Sequence, residues 1–564
     1  MGMQVIKITG IICIFFLQAC SSSEETQRTE ASLSLEKFIN SFGSGSMRGR
    51  RPALDPLSDS SFDASYRAAN VQLDQLLKID TTGLNPEEVI DWRFAHSLIN
   101  GRRLELGAMK FHRRDPRMYM IFTGISDVIA RPGSQNEKIE EIEKRLMMVP
   151  VQLGHARQQL TEYVPRFREL SLFMAENGLI LFDRELPEFI RAAGEPAKKL
   201  TSLSLSAREA LILFTKFLRD ELPKQPEGSF AIGKTLYDSM LQSQYLLAMG
   251  SDSLHEFGKA AFSQTVRELE ALAEKLDPGK RWQEVADIIK SQGPTPERMI
   301  YAHQVWVDKS RDHVLRNDLI PIPWKEKVKV VPRAEYLRKT SYYGNFSLAK
   351  SKDSDSIFRS EWMINPFEDQ WDDQRKQDYL REHDWGVIMV TAPHETYGGH
   401  HIQGLYQMHN PRKIRRENGI SIFSEGWGLY NEQLMLETGF FEREAIQFRQ
   451  LQLRLWRIAR VIYDTGLHTG KMTYDEAVKL MVDQVGFLPW AAQLEVDAAT
   501  ASPGYFIGYY TGMAEILKLR EDFKRVRGES FSLRDFHERL LKAGNMPPAL
   551  MRKALFNSLS VVEK

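Results

Sequence analysis

Apolar residues recur along most of this chain at the three-and-four spacing of a helix. Leu451, Leu455, Ile458 and Ile462 follow at intervals of 4, 3 and 4, which places them on one face of an element turning every 3.6 residues. Arg454, Arg457 and Arg460 are interleaved with them. Ser251 to Glu274 and Thr295 to Leu315 read the same way. Pro86-Glu87-Glu88 opens another helix, with proline where no N–H is needed and acids in the first turn. Strand signals are few. Lys327 to Val331 is short and β-branched, and Leu337 to Leu348 sets Tyr342, Tyr343 and Phe346 among polar residues. Ser351 to Ser356 reads as a turn between two strands of a small sheet. The pattern predicts a mainly α protein, a large helical body with a minor sheet. Pro321-Ile322-Pro323 is an extended connector. It separates a helical region, 33–320, from a second region, 321–564, that carries the sheet and the histidine-rich helices. No internal repeat is visible.

At 564 residues the chain exceeds one typical domain. Its 75 basic and 75 acidic residues cancel, so overall charge gives no case for nucleic acid or for an acidic membrane surface. The basic runs Arg48 to Arg51 and Arg412 to Arg416 read as solvated faces. The N-terminus changes the picture more. Lys7 precedes the apolar run Ile8 to Leu17, and Leu17-Gln18-Ala19-Cys20 follows. That run is short for a bilayer span and suits a cleaved secretory signal, residues 1–19. Leu-x-Ala-Cys resembles the bacterial lipobox, which implies a lipid on Cys20 and a tether over residues 20–32. Ser21 after the cysteine, by likeness to known sorting signals, points to the outer membrane and its periplasmic face. The only cysteines are Cys13 and Cys20, so the mature chain has no disulfide and no redox thiol. The expected membrane contact is the lipid alone.

Candidate chemistry is concentrated in Pro393-His394-Glu395-Thr396-Tyr397-Gly398-Gly399-His400-His401 and in Phe423-Ser424-Glu425-Gly426-Trp427-Gly428-Leu429-Tyr430-Asn431-Glu432. Neutral imidazoles and a carboxylate that hold a metal, with a spare Glu for protons, are the parts of a zinc hydrolase. The spacing is unusual, because the position four after His394 is Gly398 rather than histidine. On a straight helix His400 lies about 240° round from His394, and His401 lies about 10 Å along the axis. Neither pairing lets two nitrogens share an ion at about 2 Å each. Gly398-Gly399 supplies the remedy, since residues without Cβ let the chain loop and fold the second histidine back. Glu425 is the next helical carboxylate, and Glu432, seven residues on, shares its face.

These segments resemble a bacterial domain-of-unknown-function family, number 885. Its hallmark is His-Glu-Ala-Tyr-Pro-Gly-His-His followed by Glu-Gly-Trp-Ala-Leu-Tyr, and it is grouped with the gluzincin metallopeptidases beside thimet oligopeptidase, angiotensin-converting enzyme and carboxypeptidase Taq. The resemblance implies a helical metallopeptidase-like fold with a deep cleft. It implies His394 as first metal ligand, Glu395 as general base and Glu425 as third protein ligand. The second histidine stays open: the Gly-His pairing favours His400, and the helix register into Ile402-Gln403 favours His401. Asp464-Thr465-Gly466-Leu467-His468 is similar to the family's Asp-x-Gly-x-His, which makes Asp464 and His468 candidate supporting or substrate-contacting groups. Ser502-Pro503-Gly504-Tyr505-Phe506-Ile507-Gly508-Tyr509-Tyr510 is similar to the relatives' Gly-Tyr-x-x-x-Tyr, which casts Tyr509, with Tyr505, as donor to an oxyanion. The chain departs from the pattern at Ala498-Ala499, where the family carries Arg-Tyr. The match covers about Lys376 to Arg520.

The function implied is Zn²⁺-dependent hydrolysis of short peptides at the cell envelope. One competing reading keeps the centre and changes the substrate, making the protein an amidase or esterase on envelope material. Another is a non-catalytic binding lipoprotein that keeps the fold.

Overall fold

A computed structural model of the chain describes residues 29–42, 54–130, 134–333, 344–349, 352–353 and 355–562. The signal segment, Cys20, the basic run at Arg48 to Arg51 and most of Leu337 to Leu348 lie outside these residues. Helix makes up 73% of the protein, with one small mixed sheet of three strands. The first described helix, Glu30–Ser41, starts inside the stretch read as tether, because the Thr29 side chain accepts from Ser32 N–H and caps it. Pro86–Arg103 begins as predicted, its N-terminus closed by Asn85 and Glu88 in a capping box.

The sheet is built from β1 (Glu326–Pro332), β2 (Asn345–Ser347) and β3 (Phe358–Ile364) in the order β1-β3-β2. β1 runs parallel to β3, with Glu326 opposite Phe358, and β2 runs antiparallel, with Ser347 opposite Glu361. β3 alternates strictly, burying Phe358, Ser360, Trp362 and Ile364 while Arg359 and Glu361 face out.

Six helices position the site: α1 (Met299–Arg316), α2 (Trp385–Glu395), α3 (His400–Met408), α4 (Ser421–Glu437), α5 (Glu444–Thr469) and α6 (Gly508–Arg527). They belong to the larger of two buried apolar clusters, which runs from Leu35 to Leu555 and draws on both sides of the Pro321–Pro323 connector. The smaller cluster, Leu57 to Leu222, lies wholly in the N-terminal part.

α5 is the axle of the larger core. Every residue from Leu455 to His468 is buried, so the apolar face read from Leu455, Ile458 and Ile462 is only part of a helix enclosed all round. Three of its four arginines are buried with it, and each has an acid. Arg449 meets Asp384 at 2.7 Å, Arg460 meets Glu495 at 2.5 Å and Arg457 lies 3.6 Å from Glu432. Buried cations persist only when paired in this way. α4 and α6 cross in backbone contact: a Cβ on Gly512 would fall 1.9 Å from the Ile422 carbonyl oxygen, and one on Gly426 2.5 Å from Gly512 Cα. That close approach sets the start of α6 beside Glu425.

Candidate metal centre

The geometry begins with how α2 is held. Asp384 caps it, accepting from the N–H groups of Gly386 and Val387 at 2.8 and 3.1 Å, and the same carboxylate binds Arg449 of α5. At the far end the Asn431 amide donates to the Pro393 carbonyl at 2.8 Å and the Trp427 indole donates to the Gly398 carbonyl at 2.7 Å. Backbone groups released where the helix stops are thus bound by α4. The break itself runs from Thr396 to Gly399, and α3 restarts at His400. Gly398 adopts φ +94°, and a Cβ there would sit 2.2 Å from Asn431 Oδ1. The required interruption falls where the glycine pair predicted it and begins two residues earlier.

The break folds His400 back onto His394, with ring centroids 4.9 Å apart and planes at 88°. Glu425 of α4 completes the group. One ligand atom from each of His394, His400 and Glu425 lies within 4.8 Å of the others, making this a group able to hold a metal ion. His394 Nδ1–H donates to Glu432 Oε1 at 2.8 Å, which leaves Nε2 as its free ligand atom. His400 Nε2 is 3.5 Å from Glu425 Oε2. That is at the outer limit of a hydrogen bond and close to the ~3.3 Å edge of a tetrahedron of ligands about 2 Å from a metal. The donor set fits a borderline cation such as Zn²⁺, which combines imidazole with carboxylate.

The electrostatics agree with a site built for positive charge. Burial pushes Glu425 up, yet the hydrogen bonds from His400 and Tyr505 and the nearby imidazoles outweigh it and hold its carboxyl at about 2. His400 is held protonated up to about 9: burial lowers it, and the hydrogen bond and charge of Glu425 with the charge of Glu395 overcome that. Glu395 is half-buried beside the pair.

The remaining predicted residues divide. Tyr505 donates to Glu425 Oε1 at 2.6 Å, so it orients the candidate ligand. Tyr509 stands one turn on, its ring centroid 6.0 Å from that of Tyr505 and its face covered by Arg460 at 4.2 Å. Burial and the Glu425 charge raise both phenols, so each stays a proton donor. Two of the candidates lie outside this group. His401 points to the opposite side of α3, where its Nε2–H donates to Glu326 Oε2 at 2.9 Å in full burial. His468 is a core histidine whose Nε2 bonds the Ala499 carbonyl at 3.0 Å. Burial pushes its pKa down, so it is neutral there. Its partner in the motif acts at closer range. Asp464 accepts from Gly504 N–H, Phe506 N–H and the Tyr237 hydroxyl, all at 2.9 Å. It thereby fixes the loop that carries Tyr505. Ala498 is exposed and Ala499 is buried, so the departure at this point adds no side chain to the cluster.

One residue was missed and another was named without a role. Glu326 begins a parallel strand outside the histidine motif, and no pattern marks it. Glu432 shares a face with Glu425, and that spacing was its only signal.

The sequence matches the family described as "Bacterial protein of unknown function (DUF885)" over residues 41–555, and the chain belongs to that family. The fold is similar to two solved structures. One, from Shewanella oneidensis and described as a candidate lipoprotein of unknown function, has TM-score 0.76 at 19% identity and covers 94% of this chain and 100% of its own. The other, a candidate lipoprotein from Colwellia psychrerythraea, has TM-score 0.75 at 15% identity, covering 95% and 100%. No curated protein matches. Among the described residues no helix is long and apolar enough to cross a membrane.

Proposed function

We propose that this protein is a metal-dependent hydrolase, most simply a Zn²⁺ peptidase acting on short peptides at the bacterial cell envelope, to which a lipid on Cys20 tethers it. The carrying observation is the convergence of His394, His400 and Glu425 ligand atoms within 4.8 Å. A cation held by this set supplies two things when bound: polarisation of a carbonyl and a lowered pKa for water. The chain's own groups do the rest. Glu395, next to the first histidine and close enough to charge-stabilise His400, takes a proton from water and returns it to the leaving amine. Glu432 fixes the His394 tautomer. Tyr505 holds Glu425, and Tyr509 stands behind it as a protonated phenol for developing negative charge.

The test is to purify the mature chain, measure bound metal and assay a peptide library. Stoichiometric Zn²⁺ and cleavage are expected in the wild type. Glu395→Gln should keep the metal and lose about 10²–10⁴-fold in turnover. Folded protein that binds no Zn²⁺, or full activity in Glu395→Gln, overturns the reading.

A further inference from the structure

A cavity of about 350 Å³ opens against Glu425 and Tyr505 and runs away from the two histidines. Its far wall comes from the N-terminal half of the chain: Met109, Phe111, Met240 and Tyr245 all line it. These side chains are otherwise buried, so the wall is packed from behind and preformed. Met109 ends a π-turn, Leu104–Met109, and Lys110 beside it takes φ +48°, an uncommon backbone state for a side-chain-bearing residue. Gly504, next to Tyr505, rests on Met240, where a Cβ would meet the thioether at 2.4 Å. The apolar wall and the Glu425 wall are therefore joined through the tyrosine loop.

The volume holds about ten waters at roughly 30 Å³ each, or one large side chain with its adjoining backbone. Thioether and ring carbons shape most of the far wall, and Met109 and Met240 adapt to an occupant. A charged side chain entering would lose much of its hydration, and Glu425, the carboxylate at the site end, is already held by Tyr505 and turned toward the candidate metal ligands. Glu105 also lines the cavity and already takes part in an interaction of its own.

We propose that this cavity is the side-chain subsite of the enzyme and takes one large uncharged residue, aromatic or long aliphatic, flanking the bond that is cleaved. The proposal rests on the hydrolase reading for the bond and on the cavity alone for the side chain. The test therefore reads binding separately from cleavage. Metal-free protein is titrated with N-acetylphenylalaninamide, N-acetylglycinamide and N-acetyllysinamide, followed by saturation-transfer NMR. The phenylalanine probe should bind about tenfold or more tighter than either of the others. Met109→Trp and, as an independent filler, Gln244→Trp should abolish that preference while the metal content of the reloaded protein stays unchanged. Equal binding of the glycine probe, tighter binding of the lysine probe, or a preference that survives both fillers in folded protein overturns the subsite. If the phenylalanine preference holds and the reloaded enzyme cleaves no peptide, the subsite stands and the hydrolase reading falls. Cleavage indifferent to the side chain removes the subsite and leaves the hydrolase.

Discussion

His400 and His401 are neighbours on one helix, and each faces a glutamate, yet the two sides of α3 are different kinds of place. On the Glu326 side the carboxylate receives Tyr397 OH at 2.6 Å, His401 Nε2–H at 2.9 Å and Arg311 Nε–H at 3.0 Å. Three donors, one of them a permanent cation, saturate it, and both His401 and the Glu326 side chain are fully enclosed. On the Glu425 side the carboxylate has, among the described residues, His400 and Tyr505, with a second imidazole close by and a cavity along its edge. A histidine–glutamate pair alone does not define a metal site. Unfilled lone pairs, converging nitrogens and room for a ligand do, and a buried pair whose carboxylate is already saturated is a strut.

The largest effects should separate the two sides outright. His400→Ala is expected to lose stoichiometric metal while remaining folded. His401→Ala should keep its metal and lose about 1–3 kcal/mol of stability, because Glu326 keeps Arg311 and Tyr397 and loses one of its donors. Metal analysis and chemical denaturation on both variants decide the point, and metal loss in His401→Ala alone would reverse the assignment. Gly398→Ala attacks the device that splits the two histidines. At φ +94° with Asn431 Oδ1 2.2 Å from the new Cβ, the break must shift and His400 with it. Weaker metal retention against a chelator series is the expected result, with His401 still on Glu326. Glu432→Gln is milder: the ring of His394 keeps a partner of lower basicity, and metal affinity should fall by about 10–100-fold without unfolding.

The smallest effect is in pH. In metal-free protein His400 is raised to about 9 from its ordinary 6.5, so the folded state binds its proton more tightly. That stabilisation is fully present below about pH 6.5 and is lost as pH rises through 9. Glu425, lowered to about 2, adds stability above about 4.5 that disappears as pH falls through 2. His537 tests the other direction. Burial lowers it to about 4, so the unfolded chain takes the proton first and stability falls as pH drops from about 6.5 toward 4. Thermal melts of chelator-treated protein should therefore peak near neutrality. The alkaline limb should flatten in His400→Gln, and the acid limb should persist there.

Much of this was legible in the chain. The 3.6-residue period marked the helices, and Pro86 with Glu87 and Glu88 marked one start. The Gly398-Gly399 pair marked the break, since no straight helix joins His394 to a histidine six residues on. β3 was missed because a seven-residue alternation is a weak signal inside a helical pattern. The choice between His400 and His401 was not legible, because residues on either side of a break have no fixed register. The burial of Arg449, Arg457 and Arg460 was also hidden, since a sequence shows charges but not the acids that meet them from Asp384, Glu432 and Glu495.

The sequence by itself determined the local events: helix periods, caps, the glycine interruption and the identity of the groups offered as ligands. These follow from backbone sterics and short-range spacing, which act within a few residues. Tertiary structure decided which groups meet. Glu425 reaches the histidines because Gly426 and Gly512 let α4 and α6 touch. His401 leaves the cluster because β1 brings Glu326 to the other face of α3, and the cavity exists because Met109 and Met240 arrive from the opposite half of the chain. Such contacts depend on how whole faces pack together, and no local pattern records them.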